Sequence, residues 1–365
     1  MARITLFGLR YGISEQLHGA TVVRIVRLIS RRTWSIFGIF FALFFFYNSF
    51  GGDNVVLSGT ENLPELGPVE INAKFRNDEF SYVLHPPIGD DFCKHIDFFI
   101  IVFSKPDNYE QRDRIRYTWS FYKNMARNFT VKFIIGNVSD VGLSMKLQQE
   151  AEVYVDILRY NYTDTPKDNE VKLHAALNYH LNYCPNATYI IKTTDDTVLD
   201  VRRIWHYTNN LYTPMLSHSP ELIVCNAKTY TNRKDLLGEG KHYIPKNGYV
   251  KRPVKFCDGG TFIATKYATK ALLSKTEMVN RFPSDDVLYT GYLLTKTNAR
   301  IIDQDIFGQR SDMLRQKCDY YGVPPTFAQR GADAEVMMDV FNKLKSVRCL
   351  PSFNATLWRT HFGNA

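Results

Sequence analysis

The chain has 365 residues, 45% of them hydrophobic, a formal charge of +8, and no internal repeat or low-complexity tract, so it is long enough to bury a large core. Residues 1–33 hold Arg3, Arg10, Arg24, Arg27, Arg31 and Arg32 against only Glu15, which places +5 of the charge there and leaves about +3 for the rest. That remainder excludes the broad basic footprint of a nucleic-acid binder.

After the basic tail, residues 34–50 (WSIFGIFFALFFFYNSF) carry no charge. As a helix they reach about 25 Å, enough for a thin bilayer. Arginines before the span place the N-terminus in the cytosol. A cleaved signal peptide would have an unusually long basic region here, and no small-residue cleavage site follows. The segment is therefore read as a signal anchor of a single-pass type II protein. Residues 51–90 lack periodicity and read as a stem. Residues 91–365 form the expected lumenal body.

All six cysteines (Cys93, Cys184, Cys225, Cys257, Cys318, Cys349) follow the anchor, none in a CxxC pair. That predicts disulfides, not a zinc site. Pairing is left open, with Cys318 and Cys349 singled out because they bracket the last helical region. Glycosylation sequons stand at Asn128, Asn137, Asn161, Asn186 and Asn354.

The body opens with an apolar run at 97–103, a buried strand. Ile115, Trp119, Tyr122 and Met125 then recur at helical spacing, with Trp119 a core residue. Further strands are predicted at 130–136 and 188–192, and helices at about 141–152, through 167–183 and from about Val201. Alternating strands and helices predict an α/β body with a mostly parallel sheet, whose ligands sit at the C-terminal strand ends.

The third strand ends in Lys192-Thr-Thr-Asp195-Asp196. Adjacent carboxylates repel unless a cation or proton lies between them, so a divalent metal bridging to a diphosphate is one reading. A turn with an Asp cap is the other. Arg112 and Arg116 are candidates to face a phosphate. Gly259 and Gly260 either let the backbone approach a ligand or simply make a bend. Asp285 and Asp286 open a predicted helix, as a cap or as a general base facing a metal-bound donor.

In order and spacing these segments resemble glycosyltransferase family 31, the inverting beta-1,3-galactosyl- and N-acetylglucosaminyltransferases of the Golgi. The family's RR-x-x-IR-x-TW block is similar to residues 111–119, through Arg112, Ile115, Arg116, Thr118 and Trp119. Its Lys-x-Asp-Asp-Asp segment is similar to 192–196, its Gly-rich segment to 259–263, and its (Glu/Asp)-Asp-Val segment to 285–287, followed by Thr290 and Gly291. The stretch 241–245 resembles the segment before the glycines.

The resemblance implies a GT-A-like fold, a UDP-sugar donor, a glycan, glycoprotein or glycolipid acceptor, Mn(2+), and a place in the Golgi membrane. It implies Asp286 as base with Asp285 second. Asp196 and Gln329 become the metal ligands. Arg112, Arg116, Lys192, Asp195, Gly259 and Gly260 become the donor site, with Lys192 equally readable as a structural strand-end residue. The chain departs from the pattern in three places. Thr194 replaces the first acid of the triplet. Gln329 stands where a histidine is common, with His361 a possible substitute. One residue is inserted between Val287 and Gly291. Thr194 and Gln329 motivate a rival reading, a catalytically silent membrane-tethered glycan-binding or chaperone-like protein on the same fold. Which UDP-sugar and which acceptor the sequence leaves open.

Overall fold

The computed structural model describes residues 82–84, 93–124, 129–165, 168–229, 255–279, 281, 284–307 and 315–350. The expected tail and anchor, all but three stem residues of 51–90, the 241–245 stretch, Met125, Asn128, Asn354 and His361 lie outside them. Among the described residues no helix is long and apolar enough to cross a membrane.

The elements run β1 (Tyr82–Leu84), β2 (Phe98–Phe103), α1 (Tyr109–Tyr117), β3 (Phe129–Asn137), α2 (Val141–Tyr154), β4 (Ile157–Thr163), α3 (Asn169–Tyr183), β5 (Tyr189–Thr194) and β6 (Thr197–Leu199). They continue with α4 (Val201–Tyr207), β7 (Leu222–Thr229), β8 (Lys255–Thr265), α5 (Lys266–Leu273), α6 (Asp286–Leu293), β9 (Arg300–Asp303), β10 (Arg315–Gln316), β11 (Ala328–Arg330), α7 (Met337–Ser346) and β12 (Arg348–Cys349). Eight strands form one sheet in the order β1-β4-β3-β2-β5-β8-β7-β9. The run β4-β3-β2-β5 and the pair β7-β9 are parallel; β1-β4, β5-β8 and β8-β7 are antiparallel. The sheet is thus mixed and mostly parallel, with helices packed against it.

Strand β2 reads FFIIVF and is buried at every position, because a run apolar on both faces belongs mid-sheet. Phe99, Ile101 and Phe103 point into one core with α3, α5 and α6. Phe98, Ile100 and Val102 point into the other with Ile115, Trp119, Ile204, Phe341 and Leu344. Trp119 is fully buried, as its spacing predicts, but α1 ends at Tyr117 and a 3-10 turn (Trp119–Asn124) replaces the longer helix expected. Oxygen caps begin three helices: Asp140 for α2, Asp200 for α4 and Thr265 for α5.

The cysteines pair as Cys93–Cys184, Cys225–Cys257 and Cys318–Cys349, the last being the pair singled out from sequence. Among the sequons, Asn161 and Asn186 are exposed and Asn137 is half-buried.

Two irregularities shape the site. The β7–β8 register jumps between Cys225, opposite Phe262, and Asn226, opposite Asp258, so Gly259–Thr261 bulges from the ladder. The β5–β8 pairing stops at Lys192 opposite Phe262. Beyond that pair the strands part at the C-terminal end of β5. The second irregularity is α6, which is wound as a π-helix. A π turn takes one residue more than an α turn.

Candidate active site

A cavity of about 890 Å³ opens where β5 and β8 part. Its walls are the end of β2 with the loop after it, the end of β5, the bulge at Gly260, the start of α6, and the Gly331–Asp333 loop. The strand-end position read from sequence is where the structure puts it. The cavity gathers seven carboxylates (Asp107, Asp164, Asp195, Asp196, Asp285, Asp286, Asp333) and three lysines (Lys105, Lys172, Lys192).

Lys192, the last residue of β5 paired with β8, turns its ammonium to α6. Its Nζ lies 2.7 Å from Asp285 Oδ2 and 3.3 Å from Asp286 Oδ1, and 4.8 Å over the Phe103 ring. Burial alone would lower its pKa, but Asp285 and then Asp286 outweigh burial and raise it. Asp285 makes no helix-capping hydrogen bond with its side chain. The acidic pair therefore meets a buried cation and not a bare helix end. Gly260 sits over this pair at φ +71°, where a Cβ would stand 3.4 Å from Thr194 Cγ2 and 3.9 Å from Lys192 Nζ. Here glycine serves both the backbone conformation and the close approach.

Asp195 and Asp196 behave differently although adjacent. Asp195 Oδ2 accepts from Ser104 Oγ at 2.8 Å and Asn108 Nδ2 at 2.9 Å, tying β5 to the loop after β2. Gln111 adds bonds to the carbonyls of Asp195 and Ala332, at 3.1 and 2.9 Å. Asp196 Oδ1 accepts from the Thr194 hydroxyl and, at 3.4 Å, from Thr197. Thr194 thus supplies a donor where an acid would have repelled Asp196.

Three assignments need correction. Arg112 lines no part of the cavity and is 1% exposed. It grips both oxygens of Glu150, at 2.8 and 2.6 Å, and donates to Ser104 Oγ and to the carbonyls of Lys105 and Pro106. Three of its bonds hold the loop that forms the cavity wall, and two anchor it to Glu150 on α2. Arg116 also lies outside the lining. It pairs with Glu150 at 2.7 Å and Asp156 at 2.9 Å and stacks 3.8 Å over Tyr154. Burial alone would raise the Glu150 carboxyl, but Arg112 and then Arg116 outweigh it and hold it below its usual range. Gln329 belongs to the β11–β6 ladder opposite Val198 and does not line the cavity.

The galactosyltransferase family model matches residues 110–305, more than half of the chain and most of the cavity wall. The chain belongs to the galactosyltransferase family. Human N-acetyllactosaminide beta-1,3-N-acetylglucosaminyltransferase 2 is 25% identical over 307 residues, covering 80% of this chain and 72% of that enzyme. Mouse acetylgalactosaminyl-O-glycosyl-glycoprotein beta-1,3-N-acetylglucosaminyltransferase is 25% identical over 205 residues, covering 53% of this chain and 50% of that enzyme. Mouse UDP-GalNAc:beta-1,3-N-acetylgalactosaminyltransferase 1 is 30% identical over 125 residues, covering 33% of this chain and 38% of that enzyme. The chain thus spans half or less of the length of two of these three relatives.

In this galactosyltransferase-family glycosyltransferase, the cavity residues that sequence reasoning missed include Lys172, Asp164 and Asp333. Lys172, on α3, is buried, bonded to both oxygens of Asp164 at 2.7 and 2.8 Å and to the Ser104 carbonyl at 3.1 Å. The helical pattern of α3 offers it only as one polar position among many. Asp164 also accepts from the Gly136 amide, so it joins β3 to the cavity floor. Asp333 reaches the rim because Ala332 N donates to the Asp196 carbonyl at 2.9 Å. Its signal was the Gly331 before it, at φ +74°, which turns the chain back after β11.

Proposed function

We propose that this glycosyltransferase is an inverting hexosyltransferase on a GT-A-like fold. It moves galactose or an N-acetylhexosamine from a UDP-sugar to a hydroxyl of a glycan, glycoprotein or glycolipid, forming a beta-1,3 link. The observation that carries the reading is the charge of the cavity, seven carboxylates against three lysines, two of them already paired with aspartates. A diphosphate is repelled by such a surface unless a cation accompanies it. The names of the relatives, all beta-1,3 transferases, support the linkage.

The donor set suits a hard divalent ion such as Mn(2+). Among the described residues no three His, Cys, Asp or Glu side chains gather into a cage. An ion held by one or two carboxylates and completed by phosphate oxygens and water is the usual arrangement at nucleotide sites. Asp196 would hold it, since its Oδ2 engages no donor among the described residues. Bound there, the ion would supply positive charge to the departing UDP.

The chain's own residues do the rest. Asp286 takes the proton of the acceptor hydroxyl as it attacks the anomeric carbon. Asp285, the closer partner of Lys192, fixes the ammonium that orients Asp286 and is the second candidate for base. Asp195 keeps the loop after β2 against the strand end. The bulged Gly259–Gly260 backbone and Lys192 border the donor side. For cellular placement, the uncharged segment 34–50 and the three disulfides support a type II Golgi membrane protein with a lumenal catalytic body.

The test uses the full chain, a panel of UDP-sugars, UDP release with and without Mn(2+), and calorimetry of UDP. Asp196→Asn is expected to weaken Mn(2+)-dependent UDP binding and turnover together. Asp286→Asn is expected to lose about 10²–10⁴-fold in rate with UDP affinity little changed. Near-parent transfer by Asp286→Asn removes the base assignment, and parent-level binding by Asp196→Asn removes the metal assignment. A parent chain that neither binds UDP nor transfers any sugar leaves the silent glycan-binding reading in its place.

A further inference from the structure

Arg281 stands four positions ahead of Asp285 and reaches two other elements. Its Nη1 donates to the Tyr162 hydroxyl on β4 at 2.8 Å, and its guanidinium lies 5.3 Å over the same ring. Its Nε is 3.5 Å from Glu170 Oε1 in the first turn of α3, and its Nη2 is 3.7 Å from Asp168 Oδ1 just before that helix. One planar fork thus meets a phenol and two carboxylates at once, which the point charge of a lysine does less well. Arg281 does not line the cavity that holds Asp285 and Asp286.

Packing alone does not account for this cluster. Glu170 is 2% exposed, and its Oε2 finds no hydrogen-bond partner among the described residues. Apolar side chains in such a place often stabilise a fold as well as a buried ion pair does. Burial pushes the Glu170 carboxyl up to about 8; its own backbone amide and Arg281 pull it down, and Asp168 and Asp285 push it up again. The cluster and the acidic pair therefore lie within electrostatic reach of each other.

The placing of α6 shows what is fastened. Further along the helix, buried Tyr289 bonds His174 of α3 at 2.8 Å, and Thr290 accepts from the Cys257 amide of β8. At the tip, Lys192 draws in Asp285 and Asp286. Ahead of the tip, Arg281 ties the incoming chain to α3 and β4. Four residues span at most about 14 Å, so this tie is made close to the acidic pair.

We infer that Arg281 is a positioning residue for sugar transfer: bridging Tyr162, Asp168 and Glu170, it fixes the approach to α6 and so the place of Asp286 against the acceptor hydroxyl. The inference rests on the reading of Asp286 as the base. A catalytic group misplaced by about 1 Å can cost about 10²-fold in rate. Loss of the fork should therefore appear in kcat, with the binding of UDP unchanged.

The test is a double-mutant cycle on the full chain in detergent, with Arg281→Met, Asp286→Asn and the two combined. Transfer is counted as labelled product from the UDP-sugar that the parent uses best, and UDP affinity is measured by calorimetry with Mn(2+). Arg281→Met is expected to lower kcat by about tenfold or more, with KM for the donor and UDP affinity within about twofold of the parent. Arg281→Lys is expected to recover part of that loss. In the Asp286→Asn background, Arg281→Met should remove less than about a further twofold, because the group it positions has already lost its chemistry. If Arg281→Met does not fold, Arg281→Gln takes its place in the cycle. The inference alone is overturned if Asp286→Asn shows its full loss while Arg281→Met lowers kcat equally in both backgrounds, as a purely structural residue would. It is also overturned if the loss falls on KM or UDP affinity, or if kcat does not change. Near-parent transfer by Asp286→Asn alone overturns the base reading, and the inference falls with it.

Discussion

Replacing Lys192 with methionine keeps the length and apolar stem of the side chain and removes only its charge. The ammonium stands 2.7 Å from Asp285 and 3.3 Å from Asp286, with the lysine side chain 3% exposed and each carboxylate 11% exposed. At an effective dielectric of about 20 each contact is worth roughly 5–6 kcal/mol in gross Coulomb terms. Much of that is offset by the cost of burying the lysine, so the expected net loss on breaking the cluster is about 3–5 kcal/mol. The two carboxylates left behind relieve their repulsion by taking up a proton. The variant should therefore be least stable relative to the parent at pH 7.5 and recover ground as pH falls toward 5. In the parent, the raised Lys192 pKa makes its contribution full below the ordinary lysine value and lost only as pH rises through the higher folded one. Urea unfolding across pH 5–9, alongside the pH–rate profile of sugar transfer, measures both effects. The base limb of the rate profile should move to higher pH in Lys192→Met and return toward the parent in Lys192→Arg. A variant within about 1 kcal/mol of the parent at pH 7.5, with an unmoved base limb, would refute the view that Lys192 governs the acidic pair.

Arg112→Lys keeps the charge but cannot hold both Glu150 oxygens and the loop carbonyls together; a stability loss of about 2–4 kcal/mol and a raised KM for the donor are expected from denaturation and steady-state kinetics. Gly260→Ala places a Cβ at φ +71° and should cost about 1–2 kcal/mol in the same denaturation assay. His174 is held neutral, its pKa lowered to about 3 chiefly by burial and then by Arg281, while it bonds Tyr289 at 2.8 Å. The unfolded chain gains a proton at this histidine below about pH 6.5 and the folded one does not. Between pH 7.5 and 5.5 the parent should therefore lose about 1.4 kcal/mol relative to His174→Gln; an equal pH dependence of the two proteins would contradict it.

What could be read ahead of the structure was what leaves a local signature. The FFIIVF run announced a central strand because no solvent face is possible for it. Trp119 announced the core by size and helical spacing. Asp195 and Asp196 pointed to a strand-end cavity because they follow an apolar run in a mostly parallel sheet, although a capping turn was an equally open reading of the acids themselves. What could not be read depends on partners far apart in the chain. Lys192 and Asp285 are 93 positions apart, and Arg112 and Glu150 are 38 apart. A buried arginine and a ligand-binding one are written with the same letter, and only the partner tells them apart. The disulfide partners of Cys93 and Cys225 were invisible for the same reason, while Asp333 reached the cavity through a backbone bond that no side-chain pattern encodes.

An α-helix completes a turn in about 3.6 residues, and a π turn takes one residue more. Helix α6 is wound in the wider way along its length and holds two attachments. Asp286 at its start still meets Lys192, and Thr290 further along accepts from the Cys257 amide at 2.8 Å. One element thus ties the acidic pair at its start to β8 further along. The wide helix works like a bracket, fixed to β8 at one point so that the carboxylate at its tip stays aimed at Lys192.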